Sequence, residues 1–198
     1  MYDRLSASSG FVCMLGGVLF PLLLVVNAAL FQAPGTGGTQ AVTGVVLVSF
    51  VLFVPGVVGL HLAHRASSGP FQLLAVATLT AGLALNVVVG LLEVVAVTLP
   101  SGGLVEALSV ILLVVGAIGV GAVIARADVL VHARSGGALL AGAFPLSVVS
   151  NAALEALNLG GPLANAVLVS VPFGVAWFVL GLDLLTFPDS EATGADPG

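Results

Sequence analysis

The chain has 198 residues, 59% of them hydrophobic and only 7% charged, with a mean hydropathy of +1.25. An ordinary soluble domain carries about 25% charged residues and could not bury so much apolar side chain, so a soluble globular or disordered protein is excluded. Four Arg and no Lys against nine Asp plus Glu leave a net charge of −5, which excludes a nucleic-acid binder that needs basic side chains on phosphates.

What remains is an integral membrane protein, and the chain reads as a series of spans. A spanning helix needs about 20 mostly apolar residues. The first such stretch runs over about 8–31 and follows Arg4. Its apolar run is about twice that of a signal peptide and lacks a clean cleavage site, so it is read as a retained helix. It holds the single cysteine, Cys13, preceded by Gly10-Phe11-Val12. That context lacks a lipobox, and a lone cysteine closes no disulfide, so Cys13 reads as a small buried hydrophobe. Pro21 and Asn27 follow in the same span.

The remaining spans are separated by Gly- and Pro-rich turns that end helices. The second, about 41–64, contains Pro55 and ends on His61 and His64. Arg65 then opens the turn to Pro70. The third, about 71–98, carries Asn86 and Glu93. The fourth, about 105–126, opens near Glu106 and ends on Arg126. His132 and Arg134 lie in the connection to the fifth, about 138–158, which carries Pro145, Asn151 and Glu155. The sixth, about 163–186, holds Pro172 and Asp183. The expected fold is all-α: a transmembrane domain over 1–187, with six helices paired as three hairpins. The acidic tail 188–198 is expected to be disordered. Runs such as Val45-Val-Leu-Val48 do not alternate, which excludes a transmembrane barrel.

With six spans, all four Arg fall on one side and the opposite loops carry none. That asymmetry places both termini in the cytoplasm. The four internal prolines each remove a helix hydrogen bond, which shapes packing or frees carbonyls to line a pocket.

An internal repeat is also visible. Phe20-Pro-Leu-Leu-Leu-Val-Val-Asn-Ala-Ala-Leu30 matches Phe144-Pro-Leu-Ser-Val-Val-Ser-Asn-Ala-Ala-Leu154 at eight of eleven positions. Val46-Leu-Val-Ser49 recurs as Val167-Leu-Val-Ser170, and Gly59-Leu-His-Leu62 as Gly181-Leu-Asp-Leu184. The offsets of 121 to 124 residues are twice a hairpin of about 62. Spans 1 and 5 enter from the same side, so the repeat is parallel, with its pseudo-axis along the membrane normal.

Carboxylates inside a bilayer usually mark function. Glu93, Glu106 and Glu155 gather in the outer half, whereas Asp183 lies close to the cytoplasmic end. Asn151 and Glu155 are four residues apart and share a helix face, as do Asn86 and Glu93 at seven. The candidate binding residues are therefore Asn27, Asn86, Glu93, Asn151 and Glu155, an outward-opening cluster suited to a cation or small polar solute. The competing reading is interhelical hydrogen bonding, worth about 0.6 kcal/mol per contact. The three histidines lie on the arginine side and read as interfacial. No hydrolase, zinc, nucleotide or dinucleotide motif is present, so no cofactor, metal or catalytic residue is assigned.

Gly16-Gly-Val-Leu-Phe-Pro21, Val54-Pro-Gly-Val-Val-Gly-Leu-His-Leu62 followed by Arg65, and Val114-Val-Gly-Ala-Ile-Gly-Val-Gly-Ala-Val-Ile-Ala-Arg126 resemble small six-pass membrane proteins of haloarchaea and actinobacteria, a domain of unknown function. That resemblance implies six helices and no particular activity. The acidic, lysine-free composition independently suits a halophilic archaeon, whose carboxylates hold water in concentrated salt; a high-GC bacterium is the alternative.

Three functions stand open at this level. The first is a non-enzymatic small transporter-like or accessory membrane module. The second is a membrane enzyme using Glu93 or Glu155, and the third a purely structural subunit of a complex. The expected partners are the lipid bilayer and, for a subunit, a second copy or other membrane chains.

Overall fold

Each apolar stretch is a helix in the computed structural model, which describes residues 2–30, 39–64, 69–95, 102–127, 129–159 and 161–186. The helices are α1 (Tyr2–Leu30), α2 (Thr39–Ala63), α3 (Pro70–Val94), α4 (Gly102–Ala127), α5 (Ala133–Ala156) and α6 (Pro162–Thr186). Among the described residues there is no strand. Pro21, Pro55, Pro145 and Pro172 lie inside α1, α2, α5 and α6. The tail 188–198, the connection 32–38 and Arg65 lie outside the described residues.

Among the described residues five helices are long and apolar enough to cross a membrane; within α2, Leu47–Ala63 forms a shorter apolar helix. Their outward faces settle which solvent they meet. Leu15, Val18 and Leu22 on α1, Ile111 and Val115 on α4, and Val148 and Val149 on α5 are all exposed. A water-soluble bundle presents polar side chains there. Here the exposed face of the helices is as apolar as the buried one, which is the surface a bilayer requires.

The helices pack in chain order, each on the next, and α6 returns to α1 to close the set. Neighbours run antiparallel: Gly16 lies against Phe53 and Gly59 against Ser9, Gly82 against Leu113 and Gly119 against Ala75, and Gly121 and Gly137 against each other. Three successive hairpins are thus laid side by side. Small residues set the approach, because helices in lipid gain by close van der Waals contact rather than by excluding water.

The α1–α6 seam is the most extensive. It is built on two glycine pairs, Gly10 with Gly181 and Gly17 with Gly174, spaced seven residues apart on both helices. A Cβ on Gly10 would stand 2.7 Å from the Gly181 carbonyl oxygen, and one on Gly17 would stand 2.6 Å from that of Gly174. The two backbones therefore touch, at positions only glycine permits.

Between α1, α2, α5 and α6 the space is filled by aromatic rings. Phe173 is the hub, with ring centroids at 5.5 Å from Phe20, 5.5 Å from Phe53, 5.1 Å from Phe144 and 6.0 Å from Trp177. Phe53 stacks on Trp177 at 5.0 Å. Edge-to-face and offset arrangements of this kind add to the packing beyond area alone. Leu79, Leu83, Leu113, Ala117 and Leu140 continue the core across α3, α4 and α5.

Turn chemistry closes α5. Asn158 takes a left-handed conformation with φ 56°, which asparagine tolerates better than most residues. Asn158 N–H donates to the Glu155 carbonyl at 3.0 Å, and Leu159 N–H to the Leu154 carbonyl at 2.9 Å. That pattern is a Schellman motif, and it satisfies carbonyls that the helix end would otherwise leave open.

Candidate functional site

Because neighbouring helices alternate in direction, the polar residues sort to two ends of the bundle. One end holds the C-terminal halves of α3 and α5, with Asn86, Asn151 and Glu155. Asn86 spends its amide on its own helix, donating from Nδ2 to the Gly82 carbonyl at 2.8 Å. Asn151 is half-buried, and its Oδ1 is buried without a hydrogen-bond partner among the described residues. Glu155 is exposed. The side chains of Asn27 and Glu93 lie outside the described residues. Helices α3 and α5 each pack on α4 and make no extended contact with one another among the described residues.

The opposite end is the one that bears the arginines, and here the structure assembles more. Asp183, near the end of α6, is 2% exposed. It accepts the backbone N–H of His132 at Oδ2 over 2.9 Å. At Oδ1 it meets His132 Nδ1 over 2.7 Å. A carboxylate only accepts, so the proton of that second bond sits on Nδ1. The His132 side chain is 52% exposed, and among the described residues nothing hydrogen-bonds its Nε2. One buried carboxylate thereby holds His132, at the end of the α4–α5 connection, while Leu130 and Ala133 on either side of it belong to the core. It also lets α5 start at Ala133, ahead of the apolar run that begins near 138.

A second polar group lies at this end between α2, α3 and α4. His61, His64 and Gln72 line one narrow recess together with Val76 and Val123. Gln72 is 5% exposed. Gln72 Oε1 and His61 Nδ1 are buried and have no hydrogen-bond partner among the described residues. His64 Nδ1 lies 2.9 Å from the Leu60 carbonyl. Gln72 also lines an open cleft of about 280 Å³ with Phe71, Val123 and Arg126.

Neither grouping is evident from the sequence. The sequence places Asp183 among the carboxylates of the spans and His132 among the histidines of the arginine side, but does not pair them across the 51 residues between. Gln72 shares a helix face with no acid, unlike Asn86 with Glu93 and Asn151 with Glu155, so spacing does not single it out. The available signal was its position, a lone amide in the first turn of an apolar helix. The histidines do not converge on a metal: no group of three or more His, Cys, Asp or Glu suited to one exists among the described residues.

Fold and surface define a multi-pass α-helical membrane protein. No family model, curated protein or solved structure matches the chain.

Proposed function

We propose that the chain is a small, non-enzymatic accessory membrane module, a rigid six-helix body rather than a conduit. The observation that carries this is the aromatic plug. Phe20, Phe53, Phe173 and Trp177 occupy the space between α1, α2 and α6, and each is buried. The glycine seams beside it leave the backbones no slack for rocking. Both termini are cytoplasmic in this reading, because the positive-inside rule assigns the arginine-bearing end to that side.

The parallel repeat belongs to the same reading. Ser49 and Ser170, matched in the repeat, are both fully buried. Phe20 and Phe144, also matched, both lie against Phe173. Three related hairpins laid in chain order would give the observed neighbours.

A transporter-like alternative rests on Asn151, whose buried Oδ1 lacks a partner. It would use Asn27, Asn86, Glu93, Asn151 and Glu155 as a shared site for a cation or small polar solute. The two readings separate in proteoliposomes. The accessory reading expects cation and polar-solute fluxes equal to those of protein-free vesicles, with Glu93→Gln and Glu155→Gln unchanged from wild type. A pH-dependent flux that falls in either variant overturns it and favours transport.

A further inference from the structure

Gln72 is a deeply buried amide at the arginine-bearing end, and its carbonyl oxygen is unsatisfied among the described residues. A buried acceptor without a donor bears its full desolvation penalty, so its place on the wall of two neighbouring spaces calls for an explanation. On the inner side is a recess of about 10 Å³, closed by His61 and Val76. That is close to the volume one water-sized group occupies. On the outer side is the cleft of about 280 Å³ that reaches Arg126.

Among the described residues, the one charged group that lines the outer cleft is Arg126. Arg126 is exposed and forms no ion pair among the described residues. The cleft is also lined by Gly69, Phe71 and Gln72 at the opening of α3, where a helix presents the positive end of its dipole. Among the described residues no carboxylate lines either space. Phe71, Leu73 and Leu74 are exposed beside it, on the apolar surface that meets lipid. The cleft therefore opens at the level of the bilayer where acyl chains give way to headgroups.

We propose that this cleft binds a hydroxylated phosphate ester of the glycerol phosphate kind, with Arg126 on the phosphate and Gln72 and His61 on a hydroxyl. The phosphate supplies acceptors that a guanidinium fits in a planar fork. A hydroxyl both donates and accepts, so one hydroxyl in the recess serves Gln72 Oε1 as donor and His61 Nδ1–H as acceptor. A choline headgroup has no hydroxyl and carries a cation towards Arg126, so it satisfies neither requirement. The volume, near the lower end of known small-molecule sites, suits a headgroup rather than a large cofactor. The ligand is an anionic phospholipid headgroup or the free phosphate ester, since both carry this chemistry.

Native mass spectrometry of the full chain, with measured amounts of dioleoylphosphatidylglycerol or dioleoylphosphatidylcholine, tests the site. Wild type is expected to prefer the glycerol lipid by about tenfold, the scale of one charge-assisted contact plus a satisfied acceptor. Arg126→Gln and Gln72→Leu should each remove most of that preference, while Thr78→Val, on the exposed side of α3, keeps it. If Gln72→Leu does not fold, Val123→Phe fills the cleft without touching either polar group and should have the same effect. Competition by soluble glycerol 1-phosphate assigns the site to the free ester; its failure to compete at millimolar concentration assigns it to the lipid. Equal affinity for the two lipids overturns the proposal. So does loss with Arg126→Gln alone, because Gln72→Leu leaves the charge in place and general attraction to an anionic surface would then suffice.

Discussion

Replacing Gly17 or Gly174 with leucine is expected to destroy the folded bundle in mild detergent. A Cβ on Gly17 already meets the Gly174 carbonyl oxygen at 2.6 Å and the Phe178 amide nitrogen at 2.7 Å. One on Gly174 meets the Gly17 carbonyl and, at 2.7 Å, the ring of Pro21. These are backbone and ring atoms, which cannot swing aside as the end of a flexible side chain would. Overpacking typically costs about 1–3 kcal/mol, and a leucine against two backbones belongs at or above the top of that range. The seam it breaks is also the one that returns α6 to α1. Gly103→Ala is the matched control, because nothing lies within 4 Å of the added carbon and alanine improves helix propensity by up to about 1 kcal/mol. Thermal unfolding followed by Trp177 fluorescence should show a large loss for the first two variants and none for the control. A Gly17→Leu protein as stable as wild type would show that the seam is looser than described.

Removing the Asp183 carboxylate is the second large effect. Asp183→Ala leaves the His132 backbone N–H and Nδ1 without the acceptors they now have. The expected loss is about 2–3 kcal/mol, the cost of stranding donors of a charge-assisted pair. Asp183→Asn should lose less, because its amide oxygen still accepts the backbone N–H while the ring can change tautomer to accept from the amide nitrogen. His132→Ala removes only the side-chain bond and should also fall between. The specific readout is hydrogen exchange at the His132 amide, which should quicken in Asp183→Ala and stay slow in His132→Ala. Equal protection in both would mean the carboxylate does not hold the connection.

The six helices were legible because bilayer thickness sets a length that apolar composition either reaches or does not. Turn residues marked the breaks, as at Gly69-Pro70 and Gly161-Pro162, where α3 and α6 begin on the prolines. Which face of each helix turns inward was harder to read. In α6 the buried residues Phe173, Ala176, Trp177, Leu180 and Leu184 alternate with exposed Val171, Val175, Phe178 and Leu182. Both sets are apolar, so no hydrophobic periodicity separates them. Glycine spacing carries the information instead: Gly10 and Gly17, Gly174 and Gly181, each seven apart and facing.

The polar sites were less legible for a related reason. Charge draws attention to Glu93 and Glu155, yet burial decides which polar group must have a partner. Asp183 is buried and meets a loop residue 51 positions away, a distance over which helix periodicity says nothing. Gln72 is buried and uncharged, so neither cost nor partner shows in the sequence. Glu155, prominent in the sequence, is exposed at its end of α5.

The proposed function and the proposed headgroup site both require a six-pass body whose arginine-bearing end faces the cytoplasm. Single cysteines in a Cys13→Ser background test it most directly. Val131, 83% exposed, lies in the α4–α5 connection and Leu159, 67% exposed, follows α5. A membrane-impermeant maleimide added to intact cells should label Leu159→Cys at once and Val131→Cys only after the membrane is opened. Labelling of Val131→Cys from outside, or of both cysteines from one side, would contradict it.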